Sequence, residues 1–191
     1  MIGEDDSDVA TLKVLVRRLT KSENLSIRSK GYSGCAEMLR KGAQQLKAFC
    51  QLGCTKLIVC YDSDGNSPDE RSLQVQERIV KPSCISKPCV VIVPVEELEA
   101  WILADIKAVS KVFKGWNPKE ISSPEKIRSP KEHLEKLSRD ANHRPRYSHA
   151  THNEKVAIHL DLVKVEKKCE SFCKLKAFVC PAKNRKPRRK R

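Results

Sequence analysis

Two kinds of apolar pattern alternate along the first half of the chain. Leu57-Ile58-Val59-Cys60-Tyr61 and Cys89-Val90-Val91-Ile92-Val93-Pro94-Val95 are short, continuous, β-branched runs. Such runs predict strands buried on both faces, here over 55–61 and 89–95. Elsewhere apolar residues recur at helical spacing. Val9, Leu12, Leu15, Val16 and Leu19 form one stripe; Cys35, Met38, Leu39, Leu46 and Phe49 form another. Asp6 or Ser7 is the expected cap of the first helix. Ser33-Gly34 opens the second and Gly53 stops it. Ser67-Pro68-Asp69-Glu70 predicts a third, running to about Val80 with Leu73, Ile79 and Val80 inward. Residues 26–32 form a weaker strand candidate. Strands alternating with helices imply βαβ crossovers and a mostly parallel, Rossmann-like sheet flanked by helices.

The pattern changes after residue 114. Asn117-Pro118, Ser123-Pro124 and Ser129-Pro130 read as three closely spaced helix starts. Residues 139–152 are polar and predict a loop. Residues 154–165 predict a helix with Val156, Leu160, Val163 and a packed His159 inward, and Phe172, Leu175, Phe178 and Val179 dock last. The division expected is an α/β core over 1–114, a helical extension over 115–180, and a basic, disordered tail over 181–191.

Charge sharpens this picture. The formal net charge is +14, and seven positive residues lie between Lys183 and Arg191. A basic body and tail suit a polyanion, so nucleic acid is the expected partner. The candidate contacts are Arg144, Arg146, Lys164, Lys167, Lys168, Arg185, Lys186, Arg188 and Arg189. No run is apolar enough to span a bilayer, and the acidic start does not resemble a signal peptide. Nine scattered cysteines fit a reducing, cytoplasmic setting. Cys50/Cys54 and Cys169/Cys173 have one-turn spacing, but no C-x₂-C pair supports a zinc site. His143, His149 and His152 read as exposed loop histidines.

The candidate chemistry is carboxylate. Acids cluster at residues 4–8, at Asp62 and Asp64, and at residues 96–99, each just after a strand or strand candidate. Alternation would put Asp62 and Asp64 on one side with Ser63 turned away. In open α/β sheets ligands bind at that end of the strands, and clustered carboxylates there suit Mg²⁺ or Mn²⁺. The plainer account is a polar turn at 62–65, with acids favoured by a helix dipole at 4–8.

Glu4 entering a helix, a strand ending in Asp62-x-Asp64, and basic surroundings together resemble a Toprim domain, the catalytic fold of topoisomerases, bacterial primases and overcoming-lysogenization-defect nucleases. The run from Val95 to Asp105, with Tyr147 and Cys169-x-x-Phe172, is similar to small stand-alone prokaryotic relatives of that group. The resemblance implies Glu4 as general acid/base and Asp62 and Asp64 as catalytic metal ligands, with Glu4 and Asp8 serving beside them as metal ligands and Glu97 or Glu99 adding a further one. It implies a Mg²⁺-dependent nuclease, in a defence or mobile-element setting.

Two features depart from the family pattern. Asp5 stands where the family has Gly, so Asp5 is expected to take a turn conformation that suits Gly. Only Met1-Ile2-Gly3 remain of the first strand, and an empty slot in the sheet would invite a homodimer or a partner protein. The alternative function is a non-catalytic nucleic-acid-binding subunit. A phosphoacceptor domain is disfavoured, because no Lys follows the strand ending at Val95.

Overall fold

The computed structural model describes residues 1–181. It is an α/β chain built on four parallel strands: β1 (Ile2–Gly3), β2 (Lys30–Gly31), β3 (Leu57–Cys60) and β4 (Cys89–Ile92). Their order is β2-β1-β3-β4. Ile2 pairs with both Lys30 and Val59, and β3 and β4 pair from Leu57–Cys89 to Cys60–Ile92. The first strand is thus stubby, two residues long, yet it has a neighbour on each side.

Period-2 alternation divides the sheet between two apolar layers. Ile2, Leu57, Val59, Tyr61, Val91 and Val93 face one layer, with Met38, Leu46 and Phe49 of α2 (Cys35–Gln51). Ile58, Cys60 and Ile92 face the other, with Leu12 and Leu15 of α1 (Asp6–Thr20) and Trp101 of α5 (Glu99–Ala104). Leu134 of α6 (Pro130–Leu137), Val156 of α7 (His149–Ala157), Val165 of α8 (Leu162–Lys168) and Phe172 of α9 (Glu170–Val179) join that second layer. The helices beyond residue 114 therefore share one core with the sheet. Arg18 fixes α1 to them by donating to the carbonyls of Ala157 at 2.6 Å and Leu160 at 2.7 Å.

Several local expectations are corrected. Asp5, not Asp6 or Ser7, caps α1; it is extended at φ −141°, so no glycine-like turn is needed. The strand expected over 26–32 shrinks to two residues. α3 (Pro68–Val75) passes through a π-helical turn, Gln76–Val80, into α4 (Lys81–Ser83). Its inward residues are Val75, Ile79 and Ser83. Leu73 lies two positions before Val75, roughly 200° around the helix, and is 64% exposed.

Pro94 and the positive φ of Glu96 delay α5 to Glu99. Of the three Pro-led starts, the first makes no helix. The second makes a 3₁₀ turn, Pro124–Lys126, and the third makes α6. The loop after residue 139 ends at Ser148, so His149 and His152 lie on α7. The helix expected over 154–165 is interrupted after Ala157 and restarted by Asp161, which caps α8. That break turns Val163 outward and leaves His159 exposed. All nine cysteines are free.

Candidate active site at the carboxyl rim of the sheet

The chain first runs outward from β1 to β2, then crosses back over β1 to β3. The β1/β3 boundary is thus the point where strand order reverses, where α/β sheets open a ligand crevice. Gly3 delivers Glu4 there and Cys60-Tyr61 delivers Asp62. The Asp62 amide donates to Glu4 Oε1 at 2.7 Å.

Past the formal strand ends the backbones of 61–64 and 92–96 stay paired. Tyr61 N donates to Ile92 O, Ser63 N to Pro94 O, and Asp64 N to Glu96 O, at 3.0–3.2 Å. Asp62 Oδ1 accepts from Leu98 N at 3.1 Å, and Ser63 Oγ accepts from Glu96 N at 2.7 Å. This pairing brings the second and third acidic groups together. The expected alternation is corrected, however. Asp62 and Ser63 are both buried, whereas Asp64 is exposed and left-handed at φ 47°.

Asp8 reaches the same place from α1. It shares a reciprocal cap with Asp5: Asp8 N donates to Asp5 Oδ1 at 2.9 Å, and Asp5 N to Asp8 Oδ2 at 3.2 Å. Gly31 permits this approach, since a Cβ there would lie 2.5 Å from the backbone of Asp5 and Asp6. Glu99, at the start of α5, is 1% exposed. Its Oε1 accepts from Asn153 Nδ2 at 2.8 Å, and its Oε2 is buried with no partner. Asn153 Oδ1 in turn accepts from the Tyr147 hydroxyl. Glu97 Oε2 accepts from the Lys131 amide at 2.8 Å.

These carboxyls are poorly solvated and repel one another. Burial, then Asp8, Glu99, Glu4 and Asp64, push Asp62 well above the usual carboxylate range. Burial, then Asp5 and Glu99, do the same to Asp8. Glu4 is raised to about 7, mainly by burial and also by Asp64, against the Asp62 amide, which lowers it. Glu97 is raised too, first by burial. Lys131 is the cation these groups share. Burial alone would lower its pKa, but Glu99, Glu97, Asp62 and Asp8 outweigh that and raise it. Its Nζ lies 3.8 Å from Glu97 Oε1.

The donor set is all carboxylate oxygen, which suits a hard divalent ion, and the orphaned Glu99 Oε2 needs a positive partner. Among the described residues, no three His, Cys, Asp or Glu side chains are already arranged as a ligand set.

Residues 3–178 match the protein family described as Domain of unknown function (DUF4276). The chain belongs to this family. The match spans every rim residue named above. No curated protein and no solved structure matches.

The proposed nucleic-acid contacts divide into three groups. Arg144, Arg146 and Lys167 are exposed. Lys164 and Lys168 are committed within the chain. Lys164 Nζ binds Asp105 at 3.2 Å and Glu120 at 3.4 Å, and Lys168 Nζ donates to the carbonyls of Ala104 and Ile121. Arg185, Lys186, Arg188 and Arg189 lie outside the described residues. No described helix is long and apolar enough to cross a membrane.

Lys131, Asn153 and Tyr147 were missed as site residues. Lys131 sits in the first turn of α6, where a helix dipole disfavours a cation; that misplaced charge was the available signal. Asn153 interrupts the apolar stripe of Val156, Ala157 and Leu160, which was the signal for a buried polar partner.

Proposed function

We propose that this chain is a Toprim-type, metal-dependent phosphodiesterase that cleaves DNA or RNA. The observation that carries the reading is the buried carboxylate group at the switch point: Asp62, Asp8 and Glu99, with Glu4 beside them and one lysine among them. A divalent cation would compensate carboxylates buried at this cost, since Lys131 supplies only one positive charge.

Asp62, Asp8 and Glu99 would hold Mg²⁺ or Mn²⁺ on the buried side, with Glu4 and Asp64 toward the open side. Bound there, the ion would activate water and stabilise the leaving oxygen of a phosphodiester. Glu4, raised to about 7, is suited to hold or release a proton near neutral pH at Oε2 while the Asp62 amide fixes Oε1. Lys131 moderates repulsion and holds the first turn of α6 against Glu97. The basic body draws in the polyanion.

Full-length protein with Mg²⁺ or Mn²⁺ is expected to cleave at least one of single- or double-stranded DNA or RNA, and EDTA to stop it. Asp62→Ala combined with Asp64→Ala should abolish cleavage in folded protein. Cleavage surviving in that variant would refute the reading.

The second reading is a non-catalytic nucleic-acid-binding subunit. The net charge of +14, with Arg144, Arg146 and Lys167 exposed, supports it without calling on a metal. It expects salt-sensitive binding without cleavage, undisturbed by the same substitutions.

A further inference from the structure

In a chain only 5% aromatic, Phe113, Trp116, Tyr147 and His152 gather in one patch beside α7. The Phe113 ring centroid lies 5.3 Å from Trp116, 6.0 Å from Tyr147 and 4.7 Å from His152. Trp116 is 6.3 Å from Tyr147. Arg146 adds a cation, its guanidinium carbon 5.8 Å from the Phe113 centroid. Tyr147 is the buried base of the patch; Phe113, Trp116 and His152 are half-buried, and Arg146 is exposed. The contrast is the Trp101–Phe172 pair, equally close at 5.3 Å but fully enclosed in the core.

The two segments that carry the patch are rich in cations, with Glu120 and Asp140 at their borders and Glu135 3.9 Å from His149. Residues 106–119 contain Lys107, Lys111, Lys114 and Lys119 and no acid. Residues 141–153 contain Arg144 and Arg146 and no acid. Flat, partly open rings bordered by cations match the recognition of unpaired bases, which stack on aromatic faces while lysine and arginine follow the phosphates. A duplex keeps its bases stacked inside and offers no such face.

The patch is also coupled to the rim. The Tyr147 ring supports Phe113 and Trp116, while its hydroxyl donates to Asn153, which donates to Glu99. One rigid polar chain thus joins the aromatic patch to the carboxylates.

We propose that Phe113, Trp116 and Arg146 form a stacking platform for an unpaired base of single-stranded nucleic acid, with Lys111, Lys114 and Arg144 beside its phosphates, next to the carboxylate rim. This rests on the nucleic-acid reading above and names its substrate class as single-stranded.

The chain has two tryptophans, and only Trp116 is open to solvent. Full-length protein is titrated in EDTA with a single-stranded oligonucleotide of about ten nucleotides, or with a duplex of the same length, following tryptophan fluorescence and anisotropy. The single strand should quench Trp116 and the duplex should not, and quenching should vanish in Trp116→Phe. Trp116→Ala and Arg146→Ala should each weaken single-strand binding about five- to a hundredfold, the range for a lost base stack. Arg146 is exposed, so its variant keeps the test valid if Trp116→Ala unfolds.

Binding without quenching, or equal binding by Arg146→Ala and the parent, overturns the platform. So does burial of Trp116 by self-association, seen as a concentration-dependent spectral shift without oligonucleotide. Quenching without cleavage when Mg²⁺ is added keeps the platform and removes the nuclease. Cleavage of single strands with KM unchanged in Trp116→Ala and Arg146→Ala keeps the nuclease and removes the platform.

Discussion

The two ends of one sheet differ sharply. At the carboxyl ends of the strands, Glu4, Asp8, Asp62 and Glu99 are drawn into a partly or fully buried group, and burial raises the pKa of Glu4, Asp8 and Asp62. At the amino ends lies a cavity of about 360 Å³ bordered by Leu25, Ile27, Leu52 and Phe178, with Arg28 and Lys56 at its edge and no acid in its lining. Lys56 is exposed there, donating to Phe178 O at 2.8 Å and lying over its ring. The same strands could have been closed by apolar packing at both ends. That one end instead accepts repelling carboxylates locates the cost, and a functional site is where such cost is retained. Packing offsets it. Fully buried Trp101, Phe172, Leu12 and Ile92 contribute about 1.5–3 kcal/mol each.

The sharpest way to break this contrast is Asp62→Asn. Metal-dependent cleavage should disappear, while metal-free protein at pH 8 melts higher because a repelling charge has gone. A lower melting temperature would show that Asp62 is held there as a structural partner. Gly31→Val comes next. A branched side chain cannot occupy space 2.5 Å from the Asp5–Asp6 backbone, so α1 must shift and stability should fall by about 3 kcal/mol or more. Denaturant unfolding measures it. Asn153→Leu leaves Glu99 Oε1 and the Tyr147 hydroxyl unpaired and should cost about 2–3 kcal/mol, with divalent-ion affinity falling as well.

Titration gives a smaller effect. Glu4 holds its proton to about pH 7 when folded but only to about 4.5 by its ordinary value, so the folded state binds more protons between those limits. Without metal, the Glu4 contribution should therefore decline as pH rises from 4.5 to 7 and level off above, and the raised Asp8 and Asp62 lower stability in the same direction as pH rises. Added Mg²⁺ should raise the melting temperature at pH 8 and leave it unchanged at pH 4.5. The smallest effect belongs to the other end: Lys56→Ala should change metal affinity not at all and stability by about 1 kcal/mol or less.

The features legible in the sequence were those written locally. β3 and β4 are unbroken apolar runs, and the acids that follow them are adjacent in the chain, so strand ends and site could be read together. The parallel, helix-flanked sheet followed from the alternation of elements. What escaped came from elements whose placement no local pattern states. Lys131 and Asn153 enter the rim from α6 and α7, long after the last strand. Asp64 turned outward because it leaves extended geometry itself, with φ 47°, which alternation cannot foresee. Lys164 and Lys168 looked like surface cations because their partners, Asp105, Ala104 and Ile121, are distant in sequence.

The first strand has the longest wait. β1 is made first, yet it lies between β2 and β3, so its two edges are filled at different times during synthesis. A nascent chain carries Glu4 and Asp8 out of the ribosome early and cannot oppose them with Asp62 until β3 has emerged, with Glu99 until α5 follows, or with Asn153 until most of the chain is made. Translation itself thus delays assembly of the centre.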